Sequence, residues 1–257
     1  MSQQPYGPPP QLQPPAPQPR PRPAGGLAVA IILALAVGIL LDMVNITQWQ
    51  ALRGDVRELT IGEATDRLAQ LSALGWVDTL LVWGTTVIWI VMLLRMRGNI
   101  ELRTPGMIQW KKETLVALFV VPVLFGLASA VLPALFLPAM LVSLASGIAL
   151  IIVVNEIWRL GHPLRPGPTS VLVIAWGVVG ILDELFLTLA SRWWYWEMLD
   201  MASDREAGGD RELVSTDFIP VSNAMSVAYI LDALLCVVAI LMVWRLAMKH
   251  NEGLRTP

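Results

Sequence analysis

Cysteine is almost missing from this chain. Cys236 stands alone, so no intramolecular disulfide can form and the redox compartment stays open. Histidine is nearly as scarce. His162 and His250 both lie outside the apolar runs, which leaves little material for a metal site. Ser146, in Ala145-Ser146-Gly147, therefore has no neighbouring base to make it a nucleophile. There is no H-E-x-x-H zinc pattern and no P-loop. These absences argue against an enzyme and against any cofactor. Charge is thin as well: charged residues make up 15% of the chain, where a soluble domain carries about a quarter. A net charge of −2 offers no basic surface to neutralise phosphates, which excludes nucleic acid as a partner.

What the chain does have is apolar length. Of its 257 residues 55% are hydrophobic, gathered in runs of about the twenty that a membrane-crossing helix needs. Six spans are expected, near 27–46, 74–95, 114–134, 139–158, 169–190 and 224–246. The fold class is all-α, a polytopic membrane bundle over 27–250, with a short tail at 251–257. Pro122 falls inside the third span, and Pro133 and Pro138 bracket the turn after it. A kinked or re-entrant pair is thus an alternative to two full crossings.

Residues 1–26 hold ten of the nineteen prolines and have no apolar surface to bury, so the tail is expected to be disordered with polyproline-II character. Pro5-Tyr6-Gly7-Pro8 and Pro14-Pro15-Ala16-Pro17 match the loose P-x-x-P pattern of extended ligands. A solvated spacer competes with that docking reading. Ala34-Leu35-Ala36 resembles a cleavage site, but the long proline-rich lead favours a retained first helix.

Lysine and arginine set the orientation. Twelve of the eighteen fall in the tail, between spans two and three, between four and five, and at the C-terminal end. The positive-inside rule then places both termini in the cytoplasm, in a multi-pass protein of the cell (inner) membrane. The first outer segment, 47–73, suits a short amphipathic helix at the interface. The second, 191–223, opens with Arg192-Trp193-Trp194-Tyr195-Trp196. It continues through Glu197, Asp200, Asp204, Glu206, Asp210, Glu212 and Asp217, with a turn at Gly208-Gly209. It reads either as an anchored connector or as a surface for a divalent cation or a basic partner.

Two halves of the chain echo each other. Val37-Gly38-Ile39-Leu40-Leu41-Asp42 parallels Val179-Gly180-Ile181-Leu182-Asp183, and Val77-Asp78-Thr79-Leu80-Leu81 parallels Leu231-Asp232-Ala233-Leu234-Leu235. Leu-Arg-Thr-Pro closes each half, at 102–105 and 254–257. Spans one and five run the same way, so a pseudo-axis along the membrane normal is expected.

The repeats carry acids. A charge at a helix centre costs about 2.5–3.5 kcal/mol and usually faces a bundle interior or a wet cavity. Helix rise puts Asp42 and Asp78 roughly 6 Å inside the outer edge and Asp183 and Asp232 about 10 Å in. Gly38 and Gly180 share a face with Asp42 and Asp183, which lets neighbouring helices come close. Asp42 and Asp78 read either as wet interfacial residues or as cavity groups. Asp183, Glu184 and Asp232 read either as packing glue or as ion-handling groups. Several grouped carboxylates without nearby cations cannot all stay ionised.

At the end of span four, Glu156 and Arg159 can pair across one turn, with Trp158 at the interface. Together with Pro105-Gly106 and Phe119-Val120-Val121-Pro122, the Glu156-Ile157-Trp158-Arg159 motif resembles the bacterial membrane proteins grouped as domain of unknown function 4328. That resemblance implies the helical fold and adds no activity. The middle section here is more apolar than in that family, with few tryptophans before Pro122.

Two functions are expected. The first is a structural or partner-binding membrane protein, whose tail recruits a cytoplasmic protein. The second is a small gradient-driven proton- or cation-coupled transporter or channel-like protein. The lipid bilayer is a partner in either case, and a homo-oligomer is compatible with both.

Overall fold

The computed structural model describes residues 21–55, 61–162, 167–206 and 215–255. The proline-rich motifs at 5–8 and 14–17, and Gly208, Gly209, Asp210 and Glu212, lie outside the described residues. So do the side chains of Glu197, Asp200, Asp204, Glu206 and Asp217.

Among the described residues six α-helices make up the bundle: α1 (Gly25–Asp55), α2 (Ile61–Arg103), α3 (Lys112–Val131), α4 (Phe136–Leu160), α5 (Val171–Glu206) and α6 (Ser215–Arg255). All six contain a segment long and apolar enough to cross a membrane, and the described residues include no strand. Large apolar side chains such as Leu33, Leu40, Leu80, Ile152, Leu182 and Leu234 lie exposed on its outside. With lipid as solvent that surface is the stable one. This is a multi-pass membrane protein.

Pro122 sits inside α3 without ending it, and α3, at 20 residues, is about 30 Å long, enough to cross the hydrocarbon. A single 3₁₀ turn, Pro133–Leu135, joins it to α4. Several helices outrun their apolar runs. α1 continues to Asp55 and α2 begins at Ile61, so residues 47–55 and 61–73 extend the spans and do not form a separate helix lying at the interface. Tertiary packing is the reason: on α1 Trp49 is buried and Gln50 bonds Ser226, and on α2 Leu71 packs against the same cluster as Trp49. The aromatic stretch 192–196 likewise belongs to α5, and residues 251–255 to α6. After α2 the chain turns at Thr104–Met107, where the Met107 N–H donates to the Thr104 carbonyl at 3.2 Å. Gly106 adopts φ 77° there, the left-handed third position of a type II turn that follows Pro105.

The most extensive contact joins α1 to α6. Ala24, just before α1, and Ala28, Ile31, Gly38, Asp42, Asn45 and Trp49 along it are buried, and with the half-buried Leu35 they form a stripe of alternating four- and three-residue steps that makes a coiled-coil seam. Cβ positions at Gly25 and Gly38 meet Asn251 Nδ2 at 3.2 Å and Cys236 Sγ at 3.6 Å, and Gln50 Nε2 donates to Ser226 Oγ at 2.7 Å. These three points hold one antiparallel register from end to end. α2 flanks α1, and α5 flanks α6. α3 and α4 fill the gap between α2 and α5 and close the ring. The pseudo-twofold of the repeats is therefore broken: α1 packs tightly on α6, whereas α4 separates most of α2 from α5. On α5, a Cβ at Gly177 would overlap Ile151 of α4, so this crossing is possible only without a side chain.

The residues leading into α1 and the end of α6 meet at one end of the bundle. The Asn99 side chain accepts from the Arg22 N–H at 2.9 Å and donates to the Arg22 carbonyl at 2.6 Å, while its Nδ2 lies 2.9 Å from His250 Nε2. Asn99 and His250 are buried there. Arg95 adds a bond to the Pro23 carbonyl at 3.1 Å. A large apolar cluster that includes Met92, Met96, Ile157 and Leu246 fills this half of the bundle. Asn99→Leu removes the clasp and strands polar groups, and should cost about 1–3 kcal/mol. It is expected to lower the melting temperature in detergent and to speed hydrogen exchange of the Arg22 N–H, which the Asn99 side chain otherwise holds.

Candidate functional site

The repeat acids meet in one layer. A Cβ at Gly38 would meet Leu81 of α2 as well as Cys236, and one at Gly180 would meet Leu235 at 3.5 Å, which fixes the levels of α2, α1, α6 and α5 against one another. In that register Asp42 stands level with Asp78 and Asp232, and Asp183 stands level with Asp232. The charges of Asp78, Asp183 and Asp232 are all close enough to act on Asp42.

A second, smaller apolar cluster caps the layer on the side away from the termini: Trp49, Ala190, Val221 and Met225, with Leu71, Leu187, Ala224 and Tyr229 against it. Asp42 and Trp49, Asp78 and Leu71, Asp183 and Ala190, and Asp232 and Met225 are each two helical turns apart, about 10 Å, and on the same helix face. All four acids thus sit at one depth beneath one lid. Tyr229 hydrogen-bonds the Trp49 side chain and feels the charges of Asp78, Asp42 and Asp232, so it lies between lid and acids. Ser222 Oγ donates to the Trp49 carbonyl at 2.7 Å and fixes the lid across the α1–α6 seam.

Burial differs among the acids. Asp42 is 0% exposed, with neither carboxylate oxygen hydrogen-bonded, and Asp183 is 6% exposed with one unpartnered oxygen. Asn45, one turn beyond Asp42, is also buried, with its Nδ2 unpartnered. Asp42 is therefore not a wet interfacial residue. The expectation fails because α1 runs on past the apolar segment and the lid closes over it. Asp78 and Asp232 are half-buried and line a cavity of about 240 Å³. Its walls include Leu35, Gly38, Leu81, Thr85, Thr86, Leu235 and Cys236, and Trp89 and Trp176 close its inner end. Those indoles tilt at 57° with centroids 5.9 Å apart, bridging α2 and α5.

Glu184 leaves the group. It is exposed on the α4 side, where Ser143 Oγ donates to its carboxylate at 3.3 Å. Glu156, Trp158 and Arg159 lie at the terminal face, far from the acid layer. There Glu156 accepts from the Gln109 N–H at 3.0 Å, and the Lys249 ammonium stands 4.5 Å from the Trp158 ring centroid. Glu156 thus pins the loop after α2 in place of pairing with Arg159. Asn45, Tyr229, Trp89 and Trp176 were not singled out in the sequence. Tyr229 and Asn45 each stand three residues from a repeat acid, which is the one signal that could have found them.

Among the described residues no group of three or more histidine, cysteine, aspartate or glutamate side chains could hold a metal ion. Comparison with protein-family models, curated proteins and solved structures finds no match.

An unpartnered buried carboxylate contributes nothing to packing that its amide would not. Asp42→Asn should leave stability within about 1 kcal/mol of the parent, measured by thermal melting in detergent. A large loss would make Asp42 a structural residue.

Proposed function

We propose that this protein handles protons or cations, as a small gradient-driven transporter or channel-like membrane protein, with Asp42, Asp78, Asp183 and Asp232 as the groups that take them up. One observation carries the reading: carboxylates from four helices share one depth, and two of them, Asp78 and Asp232, line a cavity that no lysine or arginine lines. A seam serving stability alone gains more from apolar side chains than from buried acids. A set of intramembrane carboxylates without a basic partner needs a proton or a cation for neutrality. Exchange of one for the other is the elementary step of coupled transport. A partner-binding role has support from the Asn99 clasp, which fixes where the tail leaves the bundle, but it gives the acid layer no task.

The termini are assigned to the cytoplasm on the strength of Arg95, Arg97, Lys111, Lys112, Arg159 and Lys249 around that face. In a Cys236→Ser background, a cysteine at Gly208 should react with an impermeant maleimide added to intact cells. One at Pro105 should react only after permeabilisation; the reverse pattern inverts the assignment.

The function itself is tested in proteoliposomes with an internal pH dye. The full chain should carry a pH-dependent flux, which the double variant Asp183→Asn, Asp232→Asn abolishes while still inserting and folding. Equal flux in the two proteins would strip these residues of the role.

A further inference from the structure

The cavity beneath the acid layer has a chemistry of its own. From Asp78 to Trp89 on α2, and from Asp232 to Val243 on α6, it runs about 16 Å along the helices. One end is anionic, the middle is apolar apart from Thr85 and Thr86, and the other end is aromatic. A bare metal cation suits this space poorly. It needs several oxygen ligands within about 2.6 Å, and the described residues provide no such group. A neutral hydrocarbon would fit the walls and leave the carboxylates desolvated and unused. A molecule with one positive end and an apolar body meets both halves.

We propose that the cavity is a binding site for a small amphipathic organic cation, an arylalkyl or alkyl amine. Its ammonium lies at Asp78 and Asp232, and its body extends toward Trp89 and Trp176. Asp42 is an independent pointer. It is fully buried, has no hydrogen-bond partner on either oxygen, and stands level with Asp232 on the α1 stripe that continues through Gly38 into the cavity wall. Asp42 does not itself line the cavity; it stands one turn beyond Gly38, beside the carboxylate end. The volume of about 240 Å³ is below the range of roughly 300–1,000 Å³ typical of drug-sized sites, which selects single-ring amines over polycyclic ones. The inference rests on the cation-handling reading and adds the class of cation.

The test uses the full chain in lipid nanodiscs, titrated calorimetrically with 2-phenylethylamine and with its neutral counterpart 2-phenylethanol. The amine should bind saturably, and the alcohol about tenfold or more weakly, because only the amine pairs with a half-buried carboxylate. Asp232→Asn should erase that preference, as should Asp78→Asn. Equal binding of amine and alcohol, or binding of neither, overturns the proposal. If both variants fail to fold, the amine–alcohol comparison on the unaltered chain decides alone. The two readings fail separately. Proton flux in proteoliposomes without amine binding removes the amine site and leaves the proposed function standing, whereas selective amine binding without any flux keeps the site and removes transport.

Discussion

The α1–α6 seam is the constraint on which the rest depends. Neither helix could hold its inward stripe of small and polar residues against lipid, because lipid offers no partner to Gln50 or Ser222, which bond Ser226 and the Trp49 carbonyl across the seam. Packed on each other in a fixed antiparallel register, they bury that stripe and set the level of every neighbour. α2 is placed on α1 through Gly38 and Leu81, and α5 on α6 through Gly180 and Leu235. The common depth of the four acids follows from those contacts. A slip of one turn on either helix would move an acid about 5.4 Å, out of the layer and toward the lid or the cavity wall.

The two ends of the bundle are built differently. At the terminal end a large apolar cluster draws on all six helices, and the Asn99–His250 pair ties α2 to α6. At the other end a handful of residues around Trp49 and Met225 closes the interior. An element that opens and shuts is drawn from the less stable part of a structure. The thinner lid above the acids, with Tyr229 under it, is the part that fits that description.

Much of this was legible in the sequence. Length and hydropathy marked all six helices, because the thickness of the bilayer leaves few alternatives to spans of about twenty apolar residues. The paired Gly and Asp residues of the repeats pointed to Asp42, Asp78, Asp183 and Asp232. Their burial was not legible. It depends on how far α1 and α2 run beyond their apolar segments, and polar residues stabilised by tertiary contact look like loop in a hydropathy reading. Nor did the repeat reveal its own asymmetry. Two similar helix pairs suggest a twofold, and only packing shows that α4 occupies one of the two equivalent gaps. Glu184 was grouped with Asp183 by adjacency alone, yet neighbouring residues on a helix point about 100° apart, and Ser143 takes the second of the two.

The clasp at Asn99 reads the main chain of residue 22, its N–H and its carbonyl, and not its side chain. Nearly any amino acid other than proline could stand at that position and be held as well. Anchorage is thereby uncoupled from the identity of the anchored residue. The segment ahead of it is free to change composition or length while its point of departure from the bundle stays fixed.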